Sequence, residues 1–172
     1  MIKGDTTMKK ILSAIIVAML LMSLTMSAFA ATGLGSYTTV KVTPATADKA
    51  GSVAVDTYMC AVTLDEEGKI VAVSFDVVQS KGGFDATGAV AGEAVIEPQT
   101  KGELKEGYGM KAISPIGKEY YEQMDALAAW CIGKTVEEVI ALSADDADLK
   151  AGCTVGIADH LIVLQKAAAN AK

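Results

Sequence analysis

The stretch "VAVDTYMCAVTLDEEGKIVAVSFDVV", residues 53–78, most constrains the fold, because two alternating apolar runs flank an acidic turn that ends in Gly68. Glycine adopts the positive φ that such turns require, so the pattern predicts a β-hairpin. Successive side chains of a strand point to opposite faces. We therefore expect one face to be buried, formed by Tyr58, Cys60, Val62, Leu64, Val71, Val73, Phe75 and Val77.

Further strands are predicted on both sides of this hairpin. "YTTVKV", residues 37–42, is β-branched and alternating, and the segment after Pro44 predicts a loop. "FDATG", residues 84–88, repeats the acidic turn and predicts a second hairpin that leads into the strand "AVAGEAVIE". Residues 98–111 have no clean period and predict a loop with one short helical turn.

The second half of the chain predicts helices. Ser114 is a suitable N-cap, Pro115 a suitable first helical residue, and Gly133 a suitable stop. An apolar stripe at helical spacing runs through Ile116, Tyr120, Met124, Leu127 and Cys131. A capping box from Thr135 to Glu138 starts a short helix, "SADDAD" at residues 143–148 predicts a polar loop, and a last helix reaches Asn170 from Ile157 or Asp159. The fold class is therefore α+β: an antiparallel sheet of hairpins covered by C-terminal helices.

The first 30 residues predict a signal peptide. Lys9 and Lys10 precede the apolar run "ILSAIIVAMLLM", and Ala28-Phe29-Ala30 fits a signal-peptidase site. An uncleaved membrane anchor is the alternative, but serine and threonine dilute its second half. We expect cleavage after Ala30, an extracytoplasmic or secreted protein of one domain at residues 31–172, and membrane contact only through the signal segment.

Composition excludes several function classes. The chain has a net charge of −6 and no arginine, so a nucleic-acid partner is not expected. Cys60, Cys131 and Cys153 lie far apart and form no metal-binding or redox pair, although an odd cysteine leaves a thiol-based redox function open. The single histidine, His160, has no partner at a metal-binding or triad spacing, so we interpret it as structural or surface.

No catalytic or metal-binding motif is visible. Glu119, Glu122 and Asp125 fall largely away from the apolar stripe, and we interpret them as a solvated helix face rather than an acid–base pair. The acidic cluster near Asp146 lacks the glycine and the final carboxylate of a calcium loop. We therefore expect no catalytic residues and no metal, and leave open whether the chain is an enzyme.

Two segments carry a resemblance to a known family. Both segments resemble motifs of the FMN-binding domain family. "CAVTLDEEGKIVAVSFDVV" resembles the family's strand–turn–strand, and "DLKAGCTVGIADHLIVLQKA" resembles its flavin-attachment segment and the closing helix that follows. This family includes the flavinylated subunits of sodium-pumping NADH:quinone reductases. The chain also resembles exported bacterial proteins of similar size, through segments such as "TKGELKEGYGMK". The resemblance implies an FMN-binding-domain-like fold and extracytoplasmic electron transfer.

The match places Gly156 where the family has the threonine that carries FMN. Glycine has no hydroxyl, so we expect any FMN, or another small planar ligand, to be held without a covalent bond. The expected contacts are stacking on Tyr108, a phosphate at Lys111 and at the backbone of Gly152 to Gly156, and a hydrogen bond from Thr154. The alternative is a cofactor-free exported module that serves binding or structure in the cell envelope. The sequence leaves the redox partner and the oligomeric state open.

Overall fold

The structure is a computed structural model that describes residues 30–92, 99–143 and 145–172. The predicted hairpin is confirmed: β2 (Gly51–Leu64) pairs antiparallel with β3 (Ile70–Phe84). Asp65 shapes the turn, since its carboxylate accepts hydrogen bonds from the backbone N–H groups of Glu67 and Lys69 at 3.0 and 2.8 Å. Gly68 completes it with a φ of 75°. The predicted signal peptide lies outside the described residues except for Ala30.

The first strand is longer than the sequence predicts. β1 (Ala31–Thr43) begins six residues before the expected start and pairs antiparallel with β2, which gives a three-stranded sheet in the order β1-β2-β3. Gly33 and Gly35 lie inside β1, where a Cβ atom would stand 1.9 and 2.5 Å from backbone oxygens of the last helix. Glycine here lets a helix backbone lie directly on a strand.

The prediction that Val71 is buried is wrong. Val71 is 47% exposed, whereas its neighbour Ile70 is fully buried. The register shifts between Thr63 and Leu64, so that Leu64 faces Ile70 and Thr63 faces Ala72. Val71 is the extra residue of a β-bulge, which reverses the alternation at the start of β3. The rest of the expected face is buried (Cys60, Val62, Phe75, Val77) or partly buried and packed against the core (Tyr58, Leu64, Val73).

The second acidic turn forms, but the described part of the chain contains no strand after it. The Asp85 carboxylate accepts from the N–H groups of Thr87 and Ala89, and Gly88 has a φ of 84°. Phe84 and Val90 then make an isolated bridge. Residues 93–98, most of the predicted strand, lie outside the described residues.

The segment before the main helix contains two short turns rather than one. α1 (Lys101–Leu104) starts at a capping box formed by Thr100 and Glu103, and a 3₁₀ helix (Lys105–Tyr108) follows it directly. The rest of the segment is irregular, as the sequence predicts.

The main helix starts later than predicted. α2 (Tyr120–Cys131) has Glu119, not Ser114, at its N-cap position. Residues 114–117 form a turn instead, closed by a hydrogen bond of 3.0 Å from the Gly117 N–H to the Ser114 carbonyl. Gly117 has a φ of 62°, which a right-handed helix does not allow. Pro115 therefore belongs to this turn.

Helices cover one face of the sheet. α2 packs on β3 through Tyr120, Met124, Leu127 and Cys131, which confirms most of the predicted stripe. α3 (Val136–Leu142) begins at the predicted Thr135–Glu138 capping box. α4 (Ala147–Gly152) begins inside the polar loop expected at residues 143–148 and continues past its end. α5 (Ala158–Ala169) packs on β1 and β2 and matches the predicted last helix. The α+β class is confirmed.

Residues 31–172 form one compact unit. Among the described residues, no helix combines the length and the apolar character that crossing a membrane requires.

We predict that Gly35→Ala lowers the free energy of unfolding by about 2–3 kcal/mol, because the new methyl would overlap the α5 backbone rather than a movable side chain. Gly82→Ala is the matched control, since its Cβ would meet Val53 at an ordinary 3.6 Å. Urea denaturation of both variants measures the difference. Equal midpoints would contradict the close approach of helix and strand.

Candidate functional site

The residues predicted to bind a ligand come from two segments that α2 holds together. Tyr108 ends the 3₁₀ helix and Lys111 follows three residues later, whereas Gly152, Thr154 and Gly156 precede α5. Two polar side chains at the start of α2, Glu119 at its N-cap position and Gln123 in its first turn, each contact one or both segments. They lie one helical turn apart and are 3% and 1% exposed.

Glu119 anchors the first segment. Its carboxylate oxygens accept hydrogen bonds from the backbone N–H groups of Met110 and Lys111 at 2.8 and 3.1 Å. The interpretation of Glu119 as part of a solvated face is therefore wrong. Among the other two residues of that face, Asp125 is exposed, and Glu122 accepts a hydrogen bond of 2.8 Å from the Glu119 N–H.

Gln123 anchors the second segment. Its Oε1 accepts from the Thr154 N–H at 2.8 Å, the Val155 N–H at 3.1 Å and the Thr154 hydroxyl at 3.2 Å. Its Nε2 donates to the Ser114 hydroxyl and the Lys118 carbonyl, both at 3.1 Å. The donors that the sequence assigns to a ligand at Thr154 are thus bonded to the protein itself.

Gln123 is not among the predicted site residues, although its spacing in the sequence indicates that it is buried. The residue lies three positions after Tyr120 and four before Leu127, both of which are buried on the apolar stripe. A polar residue at that spacing faces the core, and buried amides need partners.

Tyr108 lies at one end of a row of rings. It is half-buried, and its ring meets Tyr120 edge-on with 5.9 Å between centroids. The row continues from Tyr120 to His160, Tyr58 and Tyr37. The ring centroids are 6.3 Å apart for Tyr120 and His160, 5.0 Å for His160 and Tyr58, and 6.5 Å for Tyr58 and Tyr37. This aromatic row contains the single histidine and four of the five tyrosines of the chain.

A lysine not expected at the site lies against the aromatic row. Lys101 of α1 has its Nζ 5.3 Å from the Tyr108 ring centroid and 5.5 Å from that of Tyr120. Its side chain is 13% exposed and forms an ion pair of 3.8 Å with Asp56 of β2. A cation in contact with two rings and one carboxylate fastens α1 to the sheet. The Lys111 side chain, in contrast, is exposed.

The two glycines of the second segment have different surroundings. Gly152 ends α4, where a Cβ would stand 2.9 Å from the Ala126 side chain, so it serves close packing of α4 on α2. Gly156 is exposed, and a Cβ there would meet nothing within 4 Å. Of the two glycines assigned to the ligand in this segment, Gly156 is the one with open space around it.

His160 connects the second segment to the core and has a structural position, 1% exposed. Its Nε2 lies 3.0 Å from the Tyr120 hydroxyl. Burial lowers the pKa of the imidazole to about 4, although the Gly156 carbonyl partly favours the charged form. That carbonyl does not reach hydrogen-bond geometry, and Nδ1 has no hydrogen-bond partner among the described residues. His160 is therefore neutral at pH 7.

The three cysteines are buried and none forms a disulfide. Burial raises the pKa of the Cys60 and Cys131 thiols to about 12 and also raises that of Cys153. A nucleophilic thiolate is therefore disfavoured at each position, which weakens the thiol-based redox hypothesis. The described residues also contain no cluster of histidine, cysteine and acidic side chains that could hold a metal ion.

We predict that Gln123→Ala lowers the free energy of unfolding by about 3 kcal/mol, because it leaves the backbone N–H groups of Thr154 and Val155 without this acceptor. Asp125→Ala, an exposed change on the same helix, should stay within about 0.5 kcal/mol of the original protein. Urea denaturation compares the two. Similar small effects for both would show that Gln123 does not fix the second segment.

We also predict an acid-dependent loss of stability through His160. The unfolded chain takes up this proton near pH 6.5 and the folded chain only near 4, so the free energy of unfolding falls as pH drops between these values. The contribution is on the order of 3 kcal/mol and is complete above about pH 6.5. His160→Gln removes the titration, so the decline from pH 7 to 4.5 should be shallower than in the original protein. Parallel declines would contradict a buried neutral histidine.

Comparison with known proteins gives one curated relative. The chain is 38% identical over 90 residues to a protein named chlorophenol reductase from Desulfitobacterium hafniense. The match covers 46% of this chain and 28% of that protein, so the chain spans much less than the whole relative. No family model matches the chain. No solved structure matches it.

Proposed function

We propose that this chain is an exported protein with an FMN-binding-domain-like fold that holds FMN, or another small planar ligand, without a covalent bond and serves extracytoplasmic electron transfer. The observation that carries the proposal is the aromatic row, which ends in the half-buried ring of Tyr108. A flat ligand gains most from stacking on an aromatic ring that is already held in place.

Two positions are available to the ligand's anionic group. Lys111 offers an exposed ammonium close to Tyr108 in the chain, and Gly156 offers an unhindered backbone two residues before α5. The hydrogen bond of 3.0 Å between Tyr120 and His160 joins α2 to α5, the helices that follow these two positions in the chain. Thr154 contributes less than the sequence suggests, because Gln123 already accepts from its hydroxyl and its N–H.

The redox part of the proposal has two supports. One is the family resemblance, and the other is that the relative with 38% identity is named a reductase. A bound flavin would supply the electron-transfer chemistry, and the chain would supply its position and surroundings. The match covers too little of that relative for its activity on chlorophenols to be transferred.

A cofactor-free exported module is the second candidate. One observation favours it: Glu119 and Gln123 each accept from two backbone N–H groups of these segments, those of Met110, Lys111, Thr154 and Val155, from within the protein. In that case the two segments are structural, and the aromatic row is part of the core. Export itself is common to both candidates, with cleavage expected after Ala30.

We predict that the purified protein quenches FMN fluorescence and that FMN at about 100 times its dissociation constant adds about 2.7 kcal/mol to the free energy of unfolding. Tyr108→Ala should weaken FMN binding up to about tenfold, since an aromatic contact is worth roughly 0.5–1.5 kcal/mol. Tyr121→Ala is the control, because that ring contacts Lys105 and Glu106 instead of the aromatic row.

Three outcomes separate the candidates. Quenching that Tyr108→Ala weakens and Tyr121→Ala leaves unchanged supports the ligand site. Absence of quenching and of any thermal shift with FMN supports the cofactor-free module. Non-covalent binding is expected because Gly156 has no side-chain hydroxyl to form the ester. A peptide that carries the mass of FMN after export would contradict it.

A further inference from the structure

β1 has a free edge that is bounded at both ends. Thr32 turns its main-chain groups away from β2 and exchanges hydrogen bonds of 3.3 and 3.4 Å with Lys172. The Leu34 carbonyl, on the same edge, accepts from the Asn170 side chain at 2.9 Å. By alternation, Ser36, Thr38, Val40 and Val42 also direct their N–H and C=O groups outward. The outward N–H and C=O groups of these four residues have no main-chain partner within the described residues.

The free edge is symmetric about Thr39. It starts after Leu34, which Asn170 covers, and ends before Pro44, which has no N–H to donate. Leu34 and Pro44 are equally far from Thr39. We propose that two copies of this chain pair through β1, antiparallel and related by a two-fold axis at Thr39, to form a continuous six-stranded sheet.

The register of this pairing gives the outward N–H and C=O groups of both strands hydrogen-bond partners. It places Thr38 opposite the partner's Val40 and Ser36 opposite the partner's Val42, so that outward-facing residues meet outward-facing residues on both strands. A register shifted by one residue would set outward-facing groups against inward-facing ones. Only an extended strand supplies alternating donors and acceptors along such an edge, which excludes a helix as the occupant.

The side chains favour a second copy over an unrelated strand. β1 contains no aspartate or glutamate although the whole chain has a net charge of −6, so two copies of the strand do not repel each other. Its single charge, Lys41, lies opposite the partner's Tyr37, which allows a cation–π contact on each side of the axis. On the opposite face, Val40 and Val42 are 63% and 58% exposed and would be partly covered.

The edge also has little protection against pairing. Natural edge strands avoid association by being short or by carrying several charges, a bulge or a proline. β1 has 13 residues, one lysine and, between Leu34 and Pro44, a regular register with β2. Because few residues pair, the interface is small, and we expect a dimer whose population rises with protein concentration.

Cross-linking tests the position of the axis. Thr39→Cys places a thiol opposite its own copy, where paired Cβ atoms are about 4.5–5.5 Å apart, so mild oxidation should join the two chains. Thr43→Cys is the matched control on the same strand and face, since its two copies would lie about 26 Å apart along the strands. The native cysteines are buried and do not compete. Equal cross-linking of the two variants, or none in either, would overturn the proposal.

A second pair of variants tests the main-chain contact. Val40→Pro removes an outward N–H and leaves the ladder between β1 and β2 intact, so we expect loss of the dimer in analytical ultracentrifugation with an unchanged circular dichroism spectrum. Val40→Thr keeps the N–H and the β-branched shape and should keep the dimer. A monomer at every concentration of the unmodified protein would overturn the proposal and leave the edge to another partner. A dimer that survives in a folded Val40→Pro variant would overturn it as well.

Hydrogen exchange provides a reading that needs no variant. The outward amides of Ser36, Thr38, Val40 and Val42 should gain protection as the unmodified protein is concentrated. Unchanged exchange at these amides would contradict pairing through β1.

Discussion

The buried amide of Gln123 is the contact on which the arrangement of the candidate site depends. It joins three parts of the chain: the turn at Ser114 and Lys118, the helix α2 that carries it, and the segment at Thr154 and Val155. An amide suits this position because it accepts and donates at once. A carboxylate would keep the acceptor and lose the donor, and an apolar residue would leave several buried groups unpaired. Glu119, one turn earlier, has only N–H groups to accept from, which a carboxylate does best.

The second constraint is the close contact between α5 and β1. Gly33 and Gly35 allow the helix backbone to lie directly on the strand, and this fixes the distance between α5 and the sheet. At that distance His160 of α5 contacts the Tyr120 hydroxyl and the rings of Tyr58 and Phe75. The segment before α5 is therefore held from two sides, by the Gln123 amide and by the packing of α5. Its backbone conformation follows from both contacts, which also set the shape of the surface at the candidate site.

The sequence could predict what depends on local pattern and not what depends on tertiary contact. Alternation and an acidic turn were sufficient for the β2–β3 hairpin, and helical spacing was sufficient for the buried stripe of α2. The prediction for Val71 is wrong because a bulge changes the phase of a strand without leaving a mark in its composition. The predicted helix start at Ser114 is wrong because Gly117 adopts a left-handed conformation that its neighbours do not reveal. The prediction for Glu119 is wrong because its partners are backbone N–H groups, which every residue except proline carries.

Binding and stability depend on different residues at the candidate site. The residues that hold the two segments in place, Glu119 and Gln123, are almost fully buried and have their partners inside the protein. The positions assigned to the proposed ligand differ from these: Lys111 and Gly156 are exposed, and Tyr108 is half-buried and packs against the core. Changes at the two exposed positions therefore affect the proposed ligand site more than the fold. Position 156 can accordingly carry glycine without a cost to the surrounding architecture, because a Cβ atom there would meet nothing within 4 Å.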